Sequence, residues 1–247
     1  MSRIAREWIA TEQGFRQKLT FVRFDRSQRL EHLVVLVSTG ILALTGLPQR
    51  YHEAGISRTL INTMGGIEIV RNVHHFFAIL LAVGAFYHII RVMYGILAKG
   101  TRLTMIPTFR DVAEAWQMLM YFLGRTKEKP RFDRYTFAEK VEYWALVWGT
   151  AIMGITGFIM WFPTKATLFL EGWWIPVSKM AHGWEAVLAT LALLLWHFYH
   201  VHIKSLNTSM FTGKMSREHM LEEHPMEYAR IVAEEGDVEI APFTVVK

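Results

Sequence analysis

The chain has 247 residues, 52% hydrophobic and 13% aromatic, with 27 Lys and Arg against 22 Asp and Glu. A formal net charge of +5 is modest, and the basic residues are segregated, which argues against nucleic acid as a partner. Cysteine is absent, which excludes disulfides, iron–sulfur clusters or thiolate zinc held by this chain, and covalent c-type haem attachment.

The N-terminal stretch MSRIAREWIATEQGFRQKLT has no apolar core followed by a small-residue cleavage site, so no signal peptide is expected and the first span acts as its own insertion signal. Apolar residues then gather into four blocks: Glu31 to Leu47 (ended by Pro48), Val73 to Leu97, Val141 to Phe162 (ended by Pro163) and His182 to Ile203. Each approaches the roughly 20 residues that cross ~30 Å of hydrocarbon as a helix. Trp144, Trp148, Trp161, Trp173 and Trp174 cluster near the ends, where indole rings favour the interface. The arm before the first span (Arg3, Arg6, Arg16, Lys18, Arg23, Arg26, Arg29) and the stretch from Lys99 to Lys140 are basic. The other two connections carry only Arg50, Arg58, Arg71, Lys165 and Lys179. The positive-inside rule therefore places both termini in the cytoplasm of a multi-pass protein of the cytoplasmic (inner) membrane. Residues 109–124 read as an amphipathic helix on the cytoplasmic surface, and residues 166–178 as a segment along the outer face. The expected fold is all-α: an integral membrane four-helix bundle with an amphipathic surface helix and cytoplasmic termini. Residues 1–30 form an arm, 31–204 the membrane domain and 205–247 an acidic cytoplasmic tail.

With no thiols, the 11 histidines are the main candidate metal ligands. Because the helices alternate in direction, His74, His75 and His182 fall at an outer level, and His32, His88, His197, His200 and His202 at an inner one, about 20 Å away. Two levels so spaced suit two stacked haems, each gripped by imidazoles from facing helices. At about 100° per residue, His88 lies within ~40° of His74, His197 within ~60° of His182, and His200 on nearly the same face as His182. His75 and His202 point away. A lone histidine near a helix end is commonly an interfacial polar residue, but several at two matched depths point to function, since ionisable groups in a membrane are expensive. His52, His219 and His224 read as solvated. Gly40, Gly46, Gly84, Gly149, Gly154 and Gly157 lie within the spans and give room for a porphyrin plane or for ordinary helix packing.

The stretches RFDRSQRLEHLVVLVSTGILALTGLP, VRNVHHF, YTFAEKVEYWALVWGTAIMGITGFIMWFP, HGWEAVLATLALLLWHFYH and TGKMSREHMLEEHPMEYARI, in that order, resemble the cytochrome b (gamma) subunit of membrane-bound formate dehydrogenase and the related cytochrome b of nickel–iron hydrogenases. The resemblance implies two b haems, with His74 and His182 on the outer iron and His32 and His197 on the inner one. It also implies a quinone pocket (menaquinone or ubiquinone) beside the inner haem at Thr136, Glu139 and Lys140. Thr136 and Ala138 stand where that family has asparagine and glycine, and the interval from His182 to His197 is one residue longer. His88 and His200 are extra, and are the candidates for a third haem or for alternative inner ligands. The implied role is electron relay between an iron–sulfur or multihaem subunit, with its catalytic subunit, on the outer face and the membrane quinone pool. The chain is not catalytic alone. A non-redox membrane anchor is the alternative.

Overall fold

The computed structural model describes residues 3–11 and 14–235, with the side chains of 6–11 and 14–18 left aside. The end of the acidic tail, 236–247, lies outside the described residues, as do the side chains of Arg6, Arg16 and Lys18. The chain forms two compact units.

The first unit (Leu30–Thr101 and Trp144–Ser205) carries the long apolar helices. Among the described residues, four helices are long and apolar enough to cross a membrane: α1 (Arg26–Arg50), α3 (Ile67–Lys99), α5 (Phe137–Trp161) and α7 (Trp174–Lys204). At 25 to 33 residues each, they run about 38–50 Å, more than a hydrocarbon core needs. Large apolar side chains such as Phe86, Ile90, Leu97 and Leu195 point outward, which suits lipid and would be a liability in water.

Helix ends follow local chemistry. Asp25 and Gln28 exchange side-chain to backbone hydrogen bonds (3.0 and 2.8 Å) and cap α1. Pro48 lies inside α1 rather than ending it, and the helix closes a turn later at Arg50. Gly100, at φ 59°, takes the left-handed conformation that stops α3. Between α1 and α3 sits a short helix the hydropathy pattern does not announce, α2 (Gly55–Thr63), which buries Ser57 and Ile61. After α5, Pro163 opens the one-turn α6 (Pro163–Ala166).

Two expected boundaries move. α3 begins at Ile67 and α7 at Trp174, so His74 and His182 lie about 10–12 Å inside their helices rather than at the ends. Helix propagation is cooperative, and the mixed residues before each apolar block are helix-competent. The end of α7 also departs from a regular helix. Ala192–His197 and Tyr199–Lys204 are π-helical, and the Phe198 N–H donates to the Leu193 carbonyl five residues back.

The second unit joins residues 3–29, 102–143 and 206–235. Here the expectation of an all-helical chain needs correcting. Strands β1 (Ile4–Thr11), β2 (Gly14–Val22) and β3 (Lys214–Ser216) form an antiparallel sheet in the order β1-β2-β3, with Phe21 opposite Met215. The alternation of Phe15, Leu19 and Phe21 with polar residues is a strand pattern, hidden by the basic character of the arm. Leu19, Phe21, Met215, Met220 and Ile231 make its apolar core, with Tyr228 edge-on to Phe21 at 5.4 Å. The unit also holds α4 (Phe109–Phe122), α8 (Ser209–Thr212), α9 (Arg217–Glu223) and α10 (Pro225–Glu235), so a helix is present where the amphipathic one at 109–124 was expected.

This unit also buries charge. The Glu227 carboxylate, 1% exposed, accepts hydrogen bonds from Arg3, Arg23 and Arg134, the last at 2.9 Å. His224 is not solvated as its place in the tail suggested. It is 2% exposed, donates from Nδ1 to the Asp133 carbonyl (2.8 Å) and meets Arg23 at 3.0 Å.

Candidate functional site

Four elements converge on His74 and His182, which project from α3 and α7 and face each other with ring centroids 6.4 Å apart, inclined at 61°. Behind each ring stands a Thr-Gly pair on a neighbouring helix: Thr45-Gly46 on α1 and Thr156-Gly157 on α5. Thr45 Oγ1 lies 2.9 Å from His74 Nδ1, and Thr156 Oγ1 lies 3.0 Å from His182 Nδ1. The glycine beside each threonine lets the ring approach. A Cβ on Gly46 would come to 3.0 Å from His74 Cε1, and one on Gly157 to 3.3 Å from His182 Cε1.

A second pair lies further along α7, this time facing α1. His32 of α1 and His197 of α7 have ring centroids 6.3 Å apart, inclined at 36°. In a regular helix His200, not His197, would share the face of His182. The π-helical turn over Ala192–His197 rotates each residue less than an α turn does, which offsets that phase difference and brings His197 round to His32. His200 turns instead to its own helix, with Nδ1 donating to the Trp196 carbonyl at 2.8 Å. His88 meets the Glu31 carboxylate at 2.8 Å, and the same carboxylate accepts from Arg91. His75 stacks on Trp161 at 3.9 Å between centroids. Among the described residues no three histidine or acidic side chains gather as a closed metal site, so the imidazoles meet in facing pairs.

Thr136, Glu139 and Lys140, the expected quinone contacts, sit at the start of α5 in the second unit. Thr136 and Glu139 form a capping box: the Thr136 N–H donates to Glu139 Oε2 (2.8 Å), and the Glu139 N–H to Thr136 Oγ1 (3.1 Å). Lys140 Nζ reaches Asp111 Oδ1 at 2.7 Å. Burial alone would raise the Asp111 carboxyl, but hydrogen bonds from Lys140 and Thr108 outweigh it and hold the group below its ordinary value. All three residues thus have local structural work at this helix end.

No protein-family model matches the chain. Individual relatives do. The cytochrome b556(Fdn) subunit of the nitrate-inducible formate dehydrogenase of Escherichia coli K12 is 22% identical over 218 residues, covering 88% of this chain and 94% of its own length. The cytochrome b556(fdo) subunit of formate dehydrogenase from the same organism is 22% identical over 216 residues, 86% of this chain and 93% of that one. The chain is homologous to the cytochrome b556 subunits of formate dehydrogenase. An alignment over 88% of this chain leaves out too few residues to miss any of the four spanning helices, so the likeness is not one of hydropathy in a single segment.

Two features of the site were not singled out from the amino-acid sequence. Thr45 and Thr156 were legible only as the repeated Thr-Gly dipeptides of LTGLP and ITGFIMWFP, each near the end of a span. Glu31, next to His32, was visible as an acid inside an apolar block, a placement that points to a paired or functional group.

Proposed function

We propose that the chain is the di-haem membrane cytochrome b subunit of a respiratory oxidoreductase. The observation that carries this reading is the pair of facing imidazole couples, at 6.4 and 6.3 Å between centroids. With metal–imidazole bonds of about 2 Å on each side, one iron between two rings needs centroids ~6 Å apart. The donor set of neutral nitrogens, in pairs rather than triads, suits axial ligation, and Gly46 and Gly157 keep the neighbouring backbone clear. Held by His74 with His182 and by His32 with His197, haem b would supply a one-electron iron couple at each of two depths.

The rest is the work of this chain. α7 sets the two sites about 20 Å apart along its axis. The apolar spans keep water and ions from the ligands and give both couples a low-dielectric setting. In this reading both termini are cytoplasmic, the His74–His182 level faces an iron–sulfur or multihaem partner with its catalytic subunit, and quinone exchanges electrons on the cytoplasmic side. Thr136, Glu139 and Lys140 are the candidate contacts for quinone, with Glu139 or Lys140 available to hold a proton. The relatives are cytochrome b556 subunits of formate dehydrogenase, which supports a b-type haem and a place in a multisubunit oxidoreductase.

Reduced-minus-oxidised spectra and haem quantification on the purified chain test the proposal. Two b-type haems per chain are expected, and a folded, colourless protein made with ample haem would sink it. Gly46→Val and Gly157→Val are expected to lose most of one haem per chain, with the alanine variants less affected, because a side chain there displaces the ligand ring. Full haem content in both valine variants would count against the His74–His182 couple.

A further inference from the structure

Threonines inside helices commonly donate their hydroxyl to the carbonyl four residues back, as Thr39 does to Val35 and Thr190 to Ala186, both at 2.7 Å. Thr45 and Thr156 do the same, to Ile41 at 2.7 Å and Ile152 at 2.6 Å. What sets them apart is an imidazole nitrogen on the other side of the oxygen. A hydroxyl has one proton. With that proton committed to the carbonyl, the oxygen can only accept from the ring, so Nδ1 of His74 and of His182 must carry the hydrogen. Each Nε2 is then left with a lone pair.

We propose that Thr45 and Thr156 are positioning residues that fix the tautomer and the plane of the two imidazoles and tune the metal group they hold; this rests on the haem reading above. The chain of bonds runs from ring N–H to hydroxyl to backbone carbonyl, and ends on helices α1 and α5 rather than on α3 and α7, which carry the two rings. Each ring is therefore held from a second, independent element. An acceptor on Nδ1–H raises the basicity of the imidazole and strengthens its donation to an oxidised iron. Removing the acceptor should favour the reduced state. The two sites are not equivalent. Thr45 is fully buried and Thr156 half-buried, so Thr45 carries the larger effect.

Potentiometric titration of the purified, haem-loaded chain, followed by b-band absorbance and low-spin ferric resonance spectra, separates the possibilities. Thr45→Val keeps the shape and removes the acceptor. At the wild-type midpoint its reduced-to-oxidised ratio should rise about tenfold for one of the two haems, equivalent to ~59 mV for one electron. Thr156→Val should move the same haem by less, the other haem should not move, and Thr45→Ser should restore the wild-type titration. Loss of that haem in Thr45→Val with retention in Thr45→Ser would equally support the assignment. A Thr45→Val titration that overlays wild type would overturn it, and so would valine and serine variants that behave alike, which would indicate packing of the methyl group. Absence of haem from the wild-type chain would instead strike at the functional reading beneath.

Discussion

His74→Ala should yield a folded, membrane-inserted protein with half the haem of the wild type, and His182→Ala should lose the same half. Each substitution removes one of two rings that stand 6.4 Å apart, and a single imidazole cannot clamp an iron from both faces. His32→Ala and His197→Ala should each remove the other half. The informative contrasts are His88→Ala and His200→Ala. His88 is engaged by Glu31, and His200 by the Trp196 carbonyl of its own helix, so both variants should keep two haems. Haem quantification by pyridine haemochrome decides the matter. Full retention in His74→Ala, or loss in His88→Ala, would replace the proposed ligand set with another. Electron transfer through the chain should be interrupted in every variant that lacks one haem.

The second large effect lies in the sheet-bearing unit, at Glu227. Its carboxylate is 1% exposed and gathers Arg3, Arg23 and Arg134, with Arg230 at 3.9 Å. Burial would push this carboxyl up, but the three guanidinium groups outweigh burial and hold it below the ordinary carboxylate value. Glu227→Gln removes the nearer of the two counter-charges of the buried Arg23 cation and leaves it only Glu139, 3.6 Å away, which should destabilise the unit by about 3–5 kcal/mol. Differential proteolysis or thermal unfolding of the solubilised protein would read this, and an unchanged protection pattern would refute it. The same network predicts acid sensitivity. His224 is held below its ordinary 6.5 by burial and then by Arg23, so the unfolded chain takes up its proton first and stability falls as pH drops through that value. Glu227 adds a second loss below its ordinary 4.5, since its contribution is present above that value and disappears as pH falls through the depressed folded one. Asp111 and Asp133 act in the same direction, and Glu114, which burial raises, acts against them. Stability of this unit should therefore begin to fall near pH 6.5 and fall more steeply under pH 4.5.

The four spans and the two histidine depths were legible in the amino-acid sequence because both are one-dimensional properties. Hydropathy over some twenty residues decides what can cross a bilayer, and a fixed rise per residue converts position into depth. The amphipathic helix at Phe109–Phe122 was legible for the same reason. What depended on three dimensions was which group faces which. The phase of a regular helix favoured His200, and π-helical turns that no simple periodicity announces brought His197 to His32 instead. Thr45 and Thr156 gained meaning only when α1 and α5 packed against the ligand helices, since their partners lie 29 and 26 residues away. The sheet required strands from opposite ends of the chain to meet, and its buried carboxylate finds Arg23 across 204 residues. Local chemistry writes helices and depths into the order of residues, whereas pairing between distant side chains exists only once packing has chosen their neighbours.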